Sequence, residues 1–197
     1  MRTHSAQRYD APLIDLFTSE TYDEKSYSDY RRNGLVTKGE YIFEQGIYYF
    51  AITPKFVESF GRFSKSIIIA MGCSTFNNTS LAQAFLNKGA KAFIGWTNIV
   101  LPNDTDHETA NFLRMFFGEN ETLEYSKSIT NEHIYKDPNT GEVRISRMDI
   151  YPLSERNLRI SDLIAEAKNP KTLTFNEVNN SFALLINVVF QRRTFKN

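Results

Sequence analysis

Residues 66–96 read SIIIAMGCSTFNNTSLAQAFLNKGAKAFIGW, and their order decides the fold. The segment Ser66 to Met71 is apolar without alternation, which marks a strand covered on both faces, as in a parallel sheet. It stops at Gly72-Cys73, and a polar loop follows. Ser80 or Thr79 then caps a helix with Leu81, Ala84 and Phe85 on one face, and Gly89 ends it. A second apolar strand, Lys91 to Trp96, comes at once. Strand, helix, strand at this spacing is a parallel βαβ unit with an expected right-handed crossover.

Upstream, Ile47 to Ile52 (IYYFAI) has the β-branched and aromatic content of a strand. Thr53 and Pro54 open a helix through Phe56, Val57 and Phe60, closed by Gly61. Three apolar strands separated by two helices predict an α/β fold, a three-layer α/β/α sandwich with a mostly parallel central sheet. The IYYFAI, SIIIAM and KAFIGW strands are expected to be neighbours at its centre. Downstream, a helix is expected from about Thr105 or Asp106, with Ala110, Leu113, Phe116 and Phe117 inward and Asp106 and Glu108 complementing its dipole. Residues 1–40 are polar and tyrosine-rich apart from Pro12 to Phe17. Beyond residue 130 the pattern weakens: Asp137 to Gly141 is a turn, Glu142 to Pro152 alternates like an edge strand, Ser161 to Lys168 suits a short helix, and Phe182 to Phe190 a last strand or helix.

The bulk numbers narrow the function classes. At 197 residues and 41% hydrophobic content the chain is long and apolar enough for a sizeable core. Lys plus Arg and Asp plus Glu balance at 23 each, so no basic excess favours nucleic acid. One cysteine rules out an internal disulfide and a four-cysteine zinc site, and the three histidines, His4, His107 and His133, lack metal-ligand spacing. Neither a metal nor another cofactor is expected. The run Phe182 to Phe190, broken by Asn187, is too short for a membrane span. No signal-peptide pattern is evident, which leans toward the cytoplasm. Asn-x-Ser/Thr sequons begin at Asn77, Asn78, Asn103, Asn120 and Asn179, weak evidence of the opposite in an asparagine-rich chain.

Ligands of open parallel sheets bind beyond the carboxyl ends of the strands. Cys73 stands at that position, and Gly72 permits a sharp turn and close approach of a substrate. A free cysteine is also commonly a small buried residue, which is the plain alternative. Asp104 and Asp106 follow the next strand; helix capping explains them as well as ligand binding does. A thiol nucleophile needs a base. His107 reads as an exposed helix residue, His133 as part of a polar stretch, and His4 as a residue of the amino-terminal tail.

The stretch from Ile67 to Phe117 resembles the second half of the caspase-like cysteine peptidases, the CHAT-type and gingipain-type domains above all. The resemblance lies in the order of features: an apolar strand (Ile67 to Ala70), the small Gly72, Cys73, a polar loop, the helix Ser80 to Ala90, the strand Lys91 to Trp96 running into a tryptophan-containing loop, and a helix opening with acidic and threonine residues. It implies a cysteine-type endopeptidase with a Cys-His dyad and a thioester acyl-enzyme. Cys73 is then the nucleophile. The family's histidine lies upstream of the cysteine, which points to His4. Gly72, Cys73 and Ser5 would shape the oxyanion site, although the family has glycine where Ser5 stands. Trp96, Asp104 and Asp106 would line a peptide or protein substrate. The resemblance further implies that residues 1–130 are the carboxyl-terminal portion of such a domain, its first strands missing, with 131–197 as an extension. A catalytically inactive domain of this kind, acting as a binding or scaffold module, is the alternative.

Overall fold

The computed structural model describes residues 4–8, 10–40, 46–138 and 140–168. Phe182 to Phe190 lies outside them. The described residues form nine strands and six α-helices: β1 (Ser5–Gln7), β2 (Ile14–Thr21), α1 (Ser28–Arg32), β3 (Val36–Glu40), β4 (Tyr48–Ile52), α2 (Pro54–Phe60), β5 (Ile67–Ile69), α3 (Ser80–Asn87), β6 (Ala92–Trp96), α4 (Pro102–Leu113), α5 (Leu123–Ser128), β7 (His133–Lys136), β8 (Val143–Ser146), β9 (Met148–Tyr151) and α6 (Ile160–Lys168).

The mostly parallel central sheet is overturned. Among the described residues β5 with β6 is the one parallel pair, Ile67 opposite Ala92 and Ile69 opposite Ile94. The IYYFAI strand, β4, belongs to a separate antiparallel sheet ordered β1-β2-β4-β3. On its other edge β6 pairs antiparallel with β9, Ile94 opposite Ile150 and Trp96 opposite Met148. The remaining strands, β7 and β8, make a hairpin of their own. The physical reason lies in segments with little apolar signal. Asp15, the second residue of β2, is buried because Arg8 grips its carboxylate with two hydrogen bonds, Nε at 2.6 Å and Nη2 at 2.9 Å. In β3, Gly39 leaves room for the Phe17 ring, which would lie 2.6 Å from a Cβ there. These polar strands occupy both edges of β4, so no parallel partner can join it.

The βαβ unit does form, and β6 is buried on both faces, whereas β5, expected to be central and covered on both faces, is a half-buried edge strand. Ala92, Ile94 and Trp96 pack with Phe112, Phe116, Leu123, Met148 and Ile150. Phe93 points the other way, among Ile14, Leu16, Val57, Leu81 and Phe85. The second cluster joins both sheets into one core. α2 starts as expected: the Thr53 side chain accepts a hydrogen bond from the Phe56 N–H at 3.2 Å, and Pro54 occupies its first turn. α3 ends at Gly89, whose φ of +98° suits glycine.

α4 departs from expectation in start and in phase. It begins at Pro102, since proline is pre-organised for the first helical position, after an extended Leu101. Its buried face is Thr105, Glu108, Thr109 and Phe112, continued by Phe116 in a π-helical turn, while Ala110 and Phe117 are exposed. Glu108, expected to complement the helix dipole in the first turn, is 1% exposed. Among the described residues, no helix is long and apolar enough to cross a membrane.

Candidate functional site

Cys73 leaves the carboxyl end of β5 and enters a loop fastened to the next loop by backbone bonds. The Ser74 N–H donates to Asn98 C=O at 2.9 Å, and the Phe76 N–H to Trp96 C=O at 2.8 Å. Between them Thr75 is fully buried. Its hydroxyl lies 3.3 Å from the Ala70 carbonyl and 3.2 Å from that of Gly72, and it accepts from the Trp96 N–H at 2.9 Å. Gly95 makes this possible, because a Cβ there would stand 2.6 Å from the Thr75 hydroxyl.

Cys73 is half-buried and packs against the core cluster that holds Trp96 and Val100. It donates to the Val100 carbonyl at 3.3 Å. Burial pushes its pKa above that of an ordinary thiol, against a smaller opposing effect of hydrogen bonding at Val100. In the free protein the group is therefore a neutral thiol.

The amino-terminal strand reaches the same place. Ser5 is buried, and its hydroxyl donates to the backbone carbonyl of Cys73. Two further contacts tie this edge to the loop: the Gln7 and Asn77 side chains bond, and the Ile14 N–H donates to the Ser80 hydroxyl at 3.1 Å. His4, the residue before Ser5, is exposed, and its carbonyl accepts from the Phe17 N–H at 2.8 Å. Cys73, Ser5 and Gly72 thus share one loop junction, with His4 next along the strand.

The remaining candidates flank the 97–101 loop in sequence, Trp96 before it and Asp104 and Asp106 after it. The Trp96 indole is fully buried in the core, and its ring edge meets His133 at 5.9 Å between centroids. Asp104 faces His133, Oδ2 to Nδ1 at 3.3 Å. Asp106 is half-buried one turn into α4. Charge reasoning missed Glu108, which gathers this side. It accepts from the Asn131 N–H at 3.1 Å and from Asn131 Nδ2 at 2.9 Å, and lies 3.2 Å from His133 Nε2. Burial opposes its ionisation, but hydrogen bonds from Asn131, His107 and His133 outweigh that and hold the carboxyl below its ordinary range. The signal in the sequence was spacing: positions 105, 108, 109 and 112 follow the i, i+3, i+4, i+7 pattern of one helix face, with a polar Glu108 among them.

No known protein family matches this chain, and neither a curated protein nor a solved structure is similar to it.

Proposed function

We propose that this chain carries a cysteine-type acyl-transfer site that hydrolyses peptide bonds, with Cys73 as nucleophile and His4 as base. The observation supporting it is the Ser5–Cys73 hydrogen bond, which fixes the residue after His4 on the carbonyl of the nucleophile. The order of features from Ile67 to Phe117 is the second support. In this reading His4 replaces the Val100 carbonyl as acceptor of the thiol proton when substrate binds. The thiolate attacks the peptide carbonyl, and the Cys73 N–H receives the developing oxyanion. The C–N bond breaks, the amine departs with the proton from His4, and a thioester remains. Water, deprotonated by His4, then attacks the thioester, and Cys73 recovers its proton.

The test is cleavage of a broad panel of reporter peptides. Wild-type protein is expected to cleave, and His4→Ala and Cys73→Ala each to abolish cleavage, the double variant being no worse because the pair acts as a unit. Cleavage that survives His4→Ala discards the dyad. A second reading, a catalytically silent binding module, draws on one observation: the thiol is raised by burial and donates to Val100 instead of being poised as a thiolate. A wild-type protein that cleaves nothing in the panel favours that reading.

A further inference from the structure

We infer that His133 is a positioning residue for the Cys73 loop, acting with Ser146 as a two-point clamp and touching no substrate; as a contribution to catalysis this rests on the peptidase reading above. His133 opens β7, and Ser146 is its register partner at the end of β8. Ser146 grips the near end of the 98–104 segment: its hydroxyl donates to Asn98 C=O at 3.0 Å and lies 3.3 Å from the Asn98 N–H. That same Asn98 carbonyl receives the Ser74 N–H, beside the nucleophile. His133 grips the far end. Its Nδ1 meets Asp104 at 3.3 Å and its Nε2 meets Glu108 at 3.2 Å, so one ring spans the first two turns of α4. Val100, whose carbonyl holds the Cys73 thiol, lies between the two grips.

Two further observations give the clamp its importance. The buried polar atoms on this side, Thr105 Oγ1, Thr109 Oγ1 and Trp96 Nε1, have no hydrogen-bond partner among the described residues, so they do not fasten α4. Glu108, with His133 and Asn131, is the polar side-chain anchor of this face, beside the apolar packing of Phe112. Both imidazole nitrogens face carboxylates, which leaves neither available to the thiol. His133 therefore acts through the loop and is not a base for Cys73.

The clamp is tested by the rate of Cys73 alkylation with iodoacetamide across pH 6–10, in protein shown to be folded by circular dichroism. His133→Leu and Ser146→Ala are each expected to free Val100 and speed alkylation at pH 7 about fivefold, the factor set by one hydrogen bond. His133→Gln, which retains a donor for Glu108, should restore most of the wild-type rate and pH profile. Ile134→Thr, on the exposed face of the hairpin, is the control and should change nothing. Wild-type rates and profiles in both folded clamp variants overturn the inference, as does a His133→Gln protein that behaves like His133→Leu. If His133→Leu does not fold, Ser146→Ala decides alone. Alkylation needs no turnover, so failure to cleave peptides counts against the peptidase reading, whereas unchanged alkylation counts against the clamp.

Discussion

The hydroxyl of Ser5 donates to the backbone carbonyl of Cys73, across 68 positions of sequence. This bond joins an edge strand to the loop that carries the thiol. Ser5→Ala removes it and leaves the carbonyl to find another donor. The expected loss of stability is about 1 kcal/mol, read as a lower urea midpoint. Under the peptidase reading, cleavage should fall further than stability does, because the segment carrying His4 loses its direct tie to the Cys73 loop.

The Cys73 thiol should resist alkylation until the pH passes the ordinary thiol range near 8.5. Burial favours its neutral form, so folded protein holds the proton more tightly than unfolded chain does. The sign for stability follows: the contribution is unaffected below the ordinary thiol pKa and becomes unfavourable as the pH rises beyond it. Urea melts of wild-type and Cys73→Ala protein should therefore diverge between pH 8 and 10, the wild type losing more. A bell-shaped alkylation profile centred near neutrality would contradict this.

Glu108→Ala leaves Asn131 and His133 without their shared acceptor, and roughly 2–4 kcal/mol of stability should go with it. The pH dependence has the opposite sign to that of the thiol. The folded carboxyl lies below its unfolded range, so its contribution is present above about pH 4.3 and fades as the pH falls through the lower folded value. The gap in stability between wild-type protein and Glu108→Gln should accordingly be widest near pH 6 and narrow below pH 4.

Two glycines make a paired test. At Gly95 a Cβ would meet the Thr75 hydroxyl at 2.6 Å and Phe93 Cε1 at 2.9 Å, whereas at Gly118 it meets nothing within 4 Å. Gly95→Ala should lower stability by about 1–3 kcal/mol and loosen the bonds from Thr75 to the 70–72 backbone, which faster alkylation of Cys73 would reveal. Gly118→Ala should be neutral or stabilising by a few tenths of a kcal/mol.

What the sequence made legible was the segment whose chemistry is unambiguous. Ile67 to Ile69 and Ala92 to Trp96 are strands because nothing polar interrupts them, and Thr53-Pro54 and Gly89 punctuate helices by their own conformational preferences. The antiparallel sheet was hidden because β2 and β3, which flank β4, carry polar residues on the page. Asp15 is buried only through Arg8, and Val36 to Glu40 carries two charges and a glycine. Both depend on partners that local pattern cannot supply. Cys73 was found by its place after a strand, and its neighbours Ser74 and Phe76 do bond to the 96–98 backbone. The Glu108 cluster was missed by the phase of one helix, because an inward glutamate makes sense only once Asn131 and His133 are known to face it.

The two edges of β6 are filled at very different moments in the life of the chain. Its parallel neighbour β5 has already left the ribosome when Ala92 to Trp96 appear, while Met148 to Tyr151 must still be made. At about 5–20 residues per second, a fully apolar strand waits for seconds with one row of amides and carbonyls exposed to other nascent chains. Slow codons placed between residues 97 and 147 would lengthen that wait and should lower the soluble yield, and faster ones should raise it.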